Sequence, residues 1–320
     1  MNPTRHKPPG FSGTAEGFRL PDGGETVRLS DESGQVSMTR YAVFPGIDLV
    51  YNEVHMPRSL PDATPVAGNF IEIDHCREGR LECQVGREYF YLAPGDISIH
   101  RLSEAVREEV FPTGYYQGIT IQIDLDKSPR CLACFLEDVN VEPAALAKKF
   151  GLMESHFFAL RQLPSIEHIF SELYVLPESV KKGYLKVKIL ELLLFLSALE
   201  PETQRQEQRH LSESQVNLAK EVCRYLTAHL EQHIPLEQLA RQFRVSVSLL
   251  RSSFRGVYGT SVPSYMRSQR MQAAAVLLRQ TDRTVLDIAG QFGYDNGSKF
   301  AGAFRDVMGV SPAQYRKTRP

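Results

Sequence analysis

Residues 239–243 have the sequence LARQF, and residues 288–292 have the related sequence IAGQF, 49 positions further along the chain. Four later matches follow at an offset of 50, so one extra residue must fall in the second copy, between Gly293 and Gly297. The C-terminal third therefore contains an internal pseudo-repeat, which chance rarely produces in register. The four matches are Phe254-Arg255 with Phe304-Arg305, Gly259 with Gly309, Ser261 with Ser311, and Tyr265 with Tyr315.

Each copy predicts a helix, a tight turn and a second helix. Apolar residues spaced i, i+3, i+4 and i+7 give the first helix one buried face. Ser246 is suited to cap the second helix of the first copy, and Asp295 or Asn296 is its counterpart. Residues 262–280 predict a long connecting helix that would space the two copies by about one DNA turn, ~34 Å. The apolar face of the first copy consists of Leu236, Leu239, Ala240 and Phe243.

The second helix of each copy, 246–257 and 296–308, has a polar face opposite its phenylalanines. Serine, arginine and lysine are side chains that bond base edges in a major groove, so the pattern predicts two DNA-reading helices. The candidate DNA-binding residues are Ser248, Arg251, Ser252 and Arg255 in the first helix, and Ser298, Lys299 and Arg305 in the second.

The formal net charge of −1 conceals an asymmetry along the chain. Residues 212–320 contain 15 lysines and arginines against 8 aspartates and glutamates, a net +7, whereas the remainder has a net −8. A basic segment beside an acidic one indicates a polyanionic partner for the C-terminal part alone.

The C-terminal segment closely resembles the AraC/XylS family of bacterial transcription regulators over residues 212–320. The resemblance implies seven helices, two of which read adjacent major grooves. It also implies base contacts by Ser248, Arg251 and Ser252 in the first reading helix, and by Gly297, Ser298, Lys299 and Gly302 in the second. Since glycine offers no side chain, we expect the first helix to carry more of the selectivity. The matching residues are Asp287-Ile288-Ala289, Phe292-Gly293-Tyr294, Phe300, Phe304-Arg305, Gly309, Ser311-Pro312 and Tyr315-Arg316.

The N-terminal part alternates apolar and polar residues with frequent turns, which predicts a small barrel or sandwich over about 38–127. Residues 74–80 and 91–96 are similar to the cupin-like sensing and dimerisation domain of many family members. The predicted fold class is α+β. Its segments are a flexible tail (1–24), a cupin-like effector-sensing and dimerisation domain (25–200), a linker (201–211) and an all-α domain with two helix-turn-helix units joined by a long helix (212–320).

Four helices are predicted after Pro129, at 143–151, 154–163, 165–176 and 178–199. The last has apolar residues at a three-to-four spacing, and we expect this stripe to pair with its twin in a homodimer. Weak candidates for an effector pocket are His75, Tyr89 and Tyr91, although core packing explains aromatic residues equally well. The stripe consists of Leu185, Ile189, Leu192, Leu193 and Leu196.

Other functional classes fit the sequence less well. Cys131 and Cys134 have the spacing of half a zinc site, but no second pair stands at a ligand spacing, so we expect no metal. The five cysteines, an odd count, argue against a disulfide framework. The enzymatic alternative, a cupin-type metal-dependent enzyme fused to a DNA-binding domain, lacks a clustered histidine and carboxylate set. No apolar run approaches membrane-span length and the N-terminus lacks a secretion signal, so we expect a cytoplasmic protein without cofactors.

These observations predict a sequence-specific DNA-binding transcription regulator rather than an enzyme. The expected partners are double-stranded DNA, RNA polymerase, a small-molecule effector of unknown identity and a second copy of the chain. A ligand-responsive activator is the expected mode, and the preference for activation over repression comes from the family resemblance alone.

Overall fold

The computed structural model describes residues 13–57, 68–85, 87–102, 110–132, 141–152, 157–201 and 210–317. The chain divides into two compact units, residues 1–210 and 211–320, each with its own core.

The first unit contains an eight-stranded antiparallel sheet and a separate hairpin. The order in the sheet is β1-β2-β3-β4-β9-β5-β8-β10, and β6 pairs with β7 in the hairpin. The strands are β1 (Thr14–Arg19), β2 (Glu25–Asp31), β3 (Gly34–Phe44), β4 (Ile47–His55), β5 (Phe70–Gly79), β6 (Leu81–Val85), β7 (Glu88–Leu92), β8 (Ile97–Arg101), β9 (Tyr116–Asp124) and β10 (Phe157–Leu160).

Alternation along β9 explains how the sheet forms its main core. Ile119, Ile121 and Ile123 are fully buried, whereas Thr120 and Gln122 between them point to the other face. This confirms the period-two pattern of a strand with one apolar face. Three helices pack on the isoleucine face: α1 (Pro143–Lys149), α2 (Pro164–Leu173) and α3 (Lys181–Ala198).

Two sequence predictions for this unit need correction. Within the described residues no pairing joins β1 to β10, so the sheet is open and the predicted barrel is not confirmed. Residues 14–19, assigned to a flexible tail, form β1, which pairs with β2 along its whole length. Cross-strand side-chain contacts stabilise the pairing: the Thr14 and Ser30 hydroxyls are 2.7 Å apart, and Arg19 pairs with Glu25 at 2.6 Å.

The helix predicted at 154–163 is also wrong. Residues 157–160 form β10, all four of them buried, and they pair antiparallel with 97–100 of β8. A short continuous apolar run does not distinguish a buried strand from a buried helix, so periodicity could not decide this segment.

The leucine stripe of α3 belongs to the chain's own core. Its five members are between 0% and 2% exposed and pack against the sheet isoleucines. A side chain with no exposed area cannot meet a second copy unless the core opens, so the stripe is not a dimer seam.

The second unit contains seven helices within residues 211–317, the number that the family resemblance implied. They are α4 (Glu213–Thr227), α5 (Leu236–Gln242), α6 (Val247–Tyr258), α7 (Val262–Gln280), α8 (Val285–Gln291), α9 (Gly297–Met308) and α10 (Pro312–Lys317). The helix pairs α5–α6 and α8–α9 are the two helix-turn-helix units, and α7 is the predicted connecting helix.

The predicted N-terminal caps of the two reading helices are confirmed. The Ser246 side chain accepts the backbone N–H of Leu249, and the Asn296 side chain accepts those of Ser298 and Lys299. The glycines that follow α6 and α9, Gly259 and Gly309, have left-handed φ values of 73° and 76°. Such caps satisfy backbone groups that helix ends leave free, which fixes where both reading helices start and stop.

Other features of the described residues bear on partners and metals. No described helix has the length and apolar content that crossing a membrane requires. Cys131 is disulfide-bonded, whereas Cys76, Cys83 and Cys223 are free and buried. Cys134 and most of the predicted linker lie outside the described residues. Among the described residues no group of three or more histidine, cysteine or acidic side chains is arranged to hold a metal ion.

Candidate nucleic-acid interface

The first reading helix, α6, presents a polar face on the side away from the core. Leu250, Phe254 and Val257 are at most 1% exposed and anchor the helix. The four candidate contact residues, Ser248, Arg251, Ser252 and Arg255, are all exposed on the other side. Because the buried residues hold the helix, the exposed ones can change without loss of packing.

The second reading helix, α9, repeats this arrangement with fewer side chains. Ser298, Lys299 and Arg305 are exposed, while Phe300 and Phe304 are fully buried. At an offset of 50, Ala301 and Gly302 stand where α6 carries Arg251 and Ser252. A Cβ added at Gly302 would meet nothing within 4 Å, so packing does not require the glycine.

The same ring contact supports both reading helices. Phe254 of α6 meets Tyr265 of α7 edge to face with centroids 5.5 Å apart, and Phe304 of α9 meets Tyr315 of α10 in the same way at 5.5 Å. Edge-to-face rings of this kind contribute about 0.5–1.5 kcal/mol beyond the area that they bury. The pseudo-repeat therefore extends from the sequence to the side-chain packing.

The turns inside the two units also correspond. Arg244 has φ 55° and its counterpart Gly293 has φ 79°. The next residue donates its N–H to the carbonyl of Ala240 in the first copy and of Ala289 in the second. The first turn runs over residues 243–246 and the second over 292–296, so the extra residue lies where the sequence predicted it.

Four cations of the two polar faces remain available to a partner. Within the described residues, Arg251, Arg255, Lys299 and Arg305 take part in no ion pair. Arg267 of α7, by contrast, pairs with Asp306 of α9. Arg270 donates to the carbonyls of Leu230 at 2.7 Å and Gln232 at 2.9 Å, so it holds the loop after α4. The four cations of the reading helices are thus exposed and, among the described residues, free of ion pairs.

The weak effector-pocket candidates lie in two different parts of the first unit. His75 belongs to β5 and stacks on Phe170 of α2 with ring centroids 4.0 Å apart. Tyr89 and Tyr91 belong to the β6–β7 hairpin, where the buried Tyr91 hydroxyl donates to Glu82 at 2.6 Å. Burial, helped by the nearby charge of Arg77, lowers the pKa of His75 to about 4, so its imidazole is neutral.

A buried ionic group in the sheet was not anticipated from the sequence. The His100 ring lies 3.2 Å from a Glu72 oxygen and 3.3 Å from an Asp74 oxygen, on adjacent strands β8 and β5. Burial alone would lower the pKa of His100, but the adjacent carboxylates of Asp74 and Glu72 outweigh it and raise the pKa to about 10. Ser98 and Thr120 donate to Asp74 at 2.9 and 2.8 Å and complete the group. The register between β5 and β8 brings these residues together, so no local sequence pattern predicts the group.

Among the described residues, a surface cavity lies in each unit, and neither of these two is lined by a predicted site residue. In the first unit a cavity of about 430 Å³ lies beside the start of α3, lined by residues that include Asp22 and Lys182. In the second unit a cavity of about 550 Å³ lies between the end of α4, the middle of α7 and the α8 turn. The cavity of the second unit has no lining residue on α6 or α9.

Comparison with known proteins matches the second unit. Residues 239–318 match the family model described as a helix-turn-helix domain. The right origin-binding protein of Escherichia coli is 33% identical over 104 residues, which cover 32% of this chain and 36% of that protein. The chain thus spans about a third of the length of the curated relatives that it matches.

Domains of two regulators are among the solved structures that match the chain. One is the C-terminal domain of AraT, a response regulator from Geobacillus stearothermophilus. It is 35% identical, covers 32% of this chain and 85% of that domain, and has a TM-score of 0.31. The other is the DNA-binding domain of the global transcriptional factor AdpA in complex with a target DNA. It is 30% identical, covers 31% of this chain and 89% of that one, and has a TM-score of 0.30.

The paired units, their connecting helix and their matched caps define a double helix-turn-helix domain. With the sequence matches, this domain is of the AraC/XylS type.

Proposed function

We propose that the chain is a sequence-specific DNA-binding transcription regulator whose reading helices α6 and α9 enter adjacent major grooves. One observation carries the proposal: two equivalent helices of a domain with net charge +7 expose polar and basic side chains, and Ser248 with Ser298 and Arg255 with Arg305 stand at corresponding positions. The 19 residues of α7 make a connector of about 28 Å at 1.5 Å per residue, which suits neighbouring grooves.

The two helices contribute unequally in this proposal. Arg251 can bond a guanine through two donors, whereas Ala301 at the matching place of α9 cannot bond a base edge. The second helix would bind through Lys299 and Arg305, through backbone contacts and through the shape of the DNA. We therefore assign most of the base selectivity to α6.

The test is the replacement Arg251→Ala, compared with Arg224→Ala on α4 as a matched loss of one exposed positive charge. A site is first selected from random duplexes with the full chain, and affinity is then measured for that site and for random DNA. Loss of a bidentate base contact should weaken the selected site about 5- to 150-fold, and random DNA much less. Equal weakening of both would make Arg251 a phosphate contact, and failure of the full chain to enrich any sequence would refute the proposal.

The proposal extends to a ligand-responsive activator. The first unit, with its own core and about two thirds of the chain, would bind a small effector and shift the balance between arrangements of the DNA-binding domains. Contact with RNA polymerase is proposed on the family resemblance alone. Transcription reconstituted with polymerase and the selected site upstream of a promoter should rise with the protein present. A fall would identify a repressor.

A second copy of the chain is also part of the proposal, through the outer side of α3 rather than through its buried stripe. Val187 is 60% exposed and Phe195 38% exposed, whereas Leu190 and Leu194 are partly buried against the unit's own core. Val187 and Phe195 are apolar side chains in water, and they would gain by burial against a second copy. Sedimentation of Val187→Glu should show monomers, whereas Lys186→Glu beside it should leave the dimer intact.

A further inference from the structure

We infer that Leu249 determines specificity by contacting the C5-methyl group of a thymine in the half-site that α6 reads. The inference rests on the proposed function, because it requires α6 to lie in a major groove.

The first support is that Leu249 is not needed by the core. It lies in the first turn of α6 and is 38% exposed, while the next residue, Leu250, is 1% exposed and fills the core position. It borders the polar face that carries Ser248 and Ser252. An isobutyl group at the start of a reading helix is thus in water in the free protein, and it gains by burial when a partner covers it.

The second support is the counterpart of Leu249 in the repeat. At an offset of 50 this counterpart is Lys299, which is exposed at the same place in α9. Both copies have a side-chain cap at the helix start and the same ring packing, so the fold accepts a charged residue there. The leucine therefore reflects what α6 contacts and not what the domain needs to fold.

The third support is that the position of Leu249 is fixed. Its backbone N–H is held by the Ser246 hydroxyl at 3.2 Å, and its carbonyl accepts the Ser252 hydroxyl at 3.1 Å. Both bonds anchor the first turn of the helix, which is the part that approaches base edges. A leucine side chain offers no hydrogen bond, and among the four bases only thymine presents a methyl group in the major groove. The chemistry therefore assigns a thymine to this residue.

The experiment uses the full chain and the site that it selects. Each thymine of that site is replaced in turn by deoxyuridine, which lacks only the methyl group, and affinity is measured for the wild type, Leu249→Ala and Leu249→Lys. One replacement should weaken wild-type binding about fourfold, the value of one buried methyl group. The same replacement should leave both variants unaffected. The lysine variant, which copies α9, should also bind random DNA more tightly because it adds a charge.

Thermal unfolding of both variants should match the wild type, since the side chain lies outside the core. The inference is overturned if no deoxyuridine position separates the wild type from Leu249→Ala. It is also overturned if Leu249→Ala weakens all duplexes alike, which would indicate a sugar contact. If the wild type enriches no sequence at all, the proposed function fails and the inference fails with it. If the wild type enriches a site but no deoxyuridine position matters, the inference alone fails.

Discussion

Arg244 occupies a backbone conformation that suits glycine. Its φ of 55° is in the left-handed region, and its repeat counterpart is Gly293 at φ 79°. A non-glycine residue in that region costs about 1 kcal/mol, so we expect Arg244→Gly to stabilise the second unit by about 0.5–1 kcal/mol. Urea unfolding of the full chain, followed by helical circular dichroism, measures the change.

Gly293 supplies the matched control for this prediction. A Cβ there would meet nothing within 4 Å, so Gly293→Ala changes only the backbone preference. It should destabilise the same unit by about 1 kcal/mol. If both replacements moved stability in the same direction, the left-handed φ would not be the cause.

The buried imidazolium of His100 should make stability depend on alkaline pH. Its pKa is raised to about 10 in the folded chain, against an ordinary value of 6.5. The folded chain therefore keeps a proton that the unfolded chain releases, and the stabilisation is complete below about pH 6.5 and is lost as pH rises through 10. Urea unfolding of the first unit from pH 6.5 to 10 should show a steady fall in the wild type and a flatter profile in His100→Gln.

His75 is the control because it is buried in the same sheet but has its pKa lowered, to about 4. It is neutral throughout the alkaline range, so His75→Gln should change the level of stability and leave the slope with pH as in the wild type. The sequence could not have distinguished these two histidines. The neighbours of His100 along the chain do not set its pKa, because the carboxylates of Glu72 and Asp74 reach it from the adjacent strand.

Helix α3 has two apolar sides with different roles. Leu192 is fully buried, whereas Val187 is 60% exposed. A charge at position 192 would enter a close-packed core, so Leu192→Glu should unfold the first unit. Val187→Glu should keep the unit folded and abolish only self-association. Near-ultraviolet circular dichroism with sedimentation separates the two effects, and a folded Leu192→Glu protein would contradict the assignment of the stripe to the core.

Elements were predictable from the sequence where their periodicity was complete. The strand β9, the β6–β7 hairpin, the connecting helix and both helix-turn-helix units follow from alternation, from three-to-four spacing and from the repeat. The strand β10 did not, because four consecutive buried residues have no period to detect. The stripe of α3 was recognised, but a sequence pattern cannot say whether an apolar side meets its own chain or another.

The charge distribution of the whole molecule predicts a strong salt dependence of DNA binding. The second unit has a net charge of +7, and four cations of its reading helices are free of ion pairs among the described residues. Each phosphate contact releases counterions and adds about −0.9 to the slope of log affinity against log salt. Arg255→Ala and Arg305→Ala should each make the slope shallower by about one. A salt titration by fluorescence anisotropy on random duplexes checks this, and an unchanged slope in both variants would remove these residues from the DNA backbone.

The shared Phe–Tyr contact of the two copies has an evolutionary consequence. The Phe254–Tyr265 contact packs α6 against its neighbour, and the Phe304–Tyr315 contact does the same for α9. Substitutions at the exposed positions of one reading helix therefore leave the packing of the other unchanged. A protein that arose by duplication of one unit can thus change the base preference of one reading helix at a time and stay folded at each step. Its two half-sites then differ in sequence. Grafting the outward residues of α6 onto α9 would reverse that divergence and yield a protein tuned to a direct repeat.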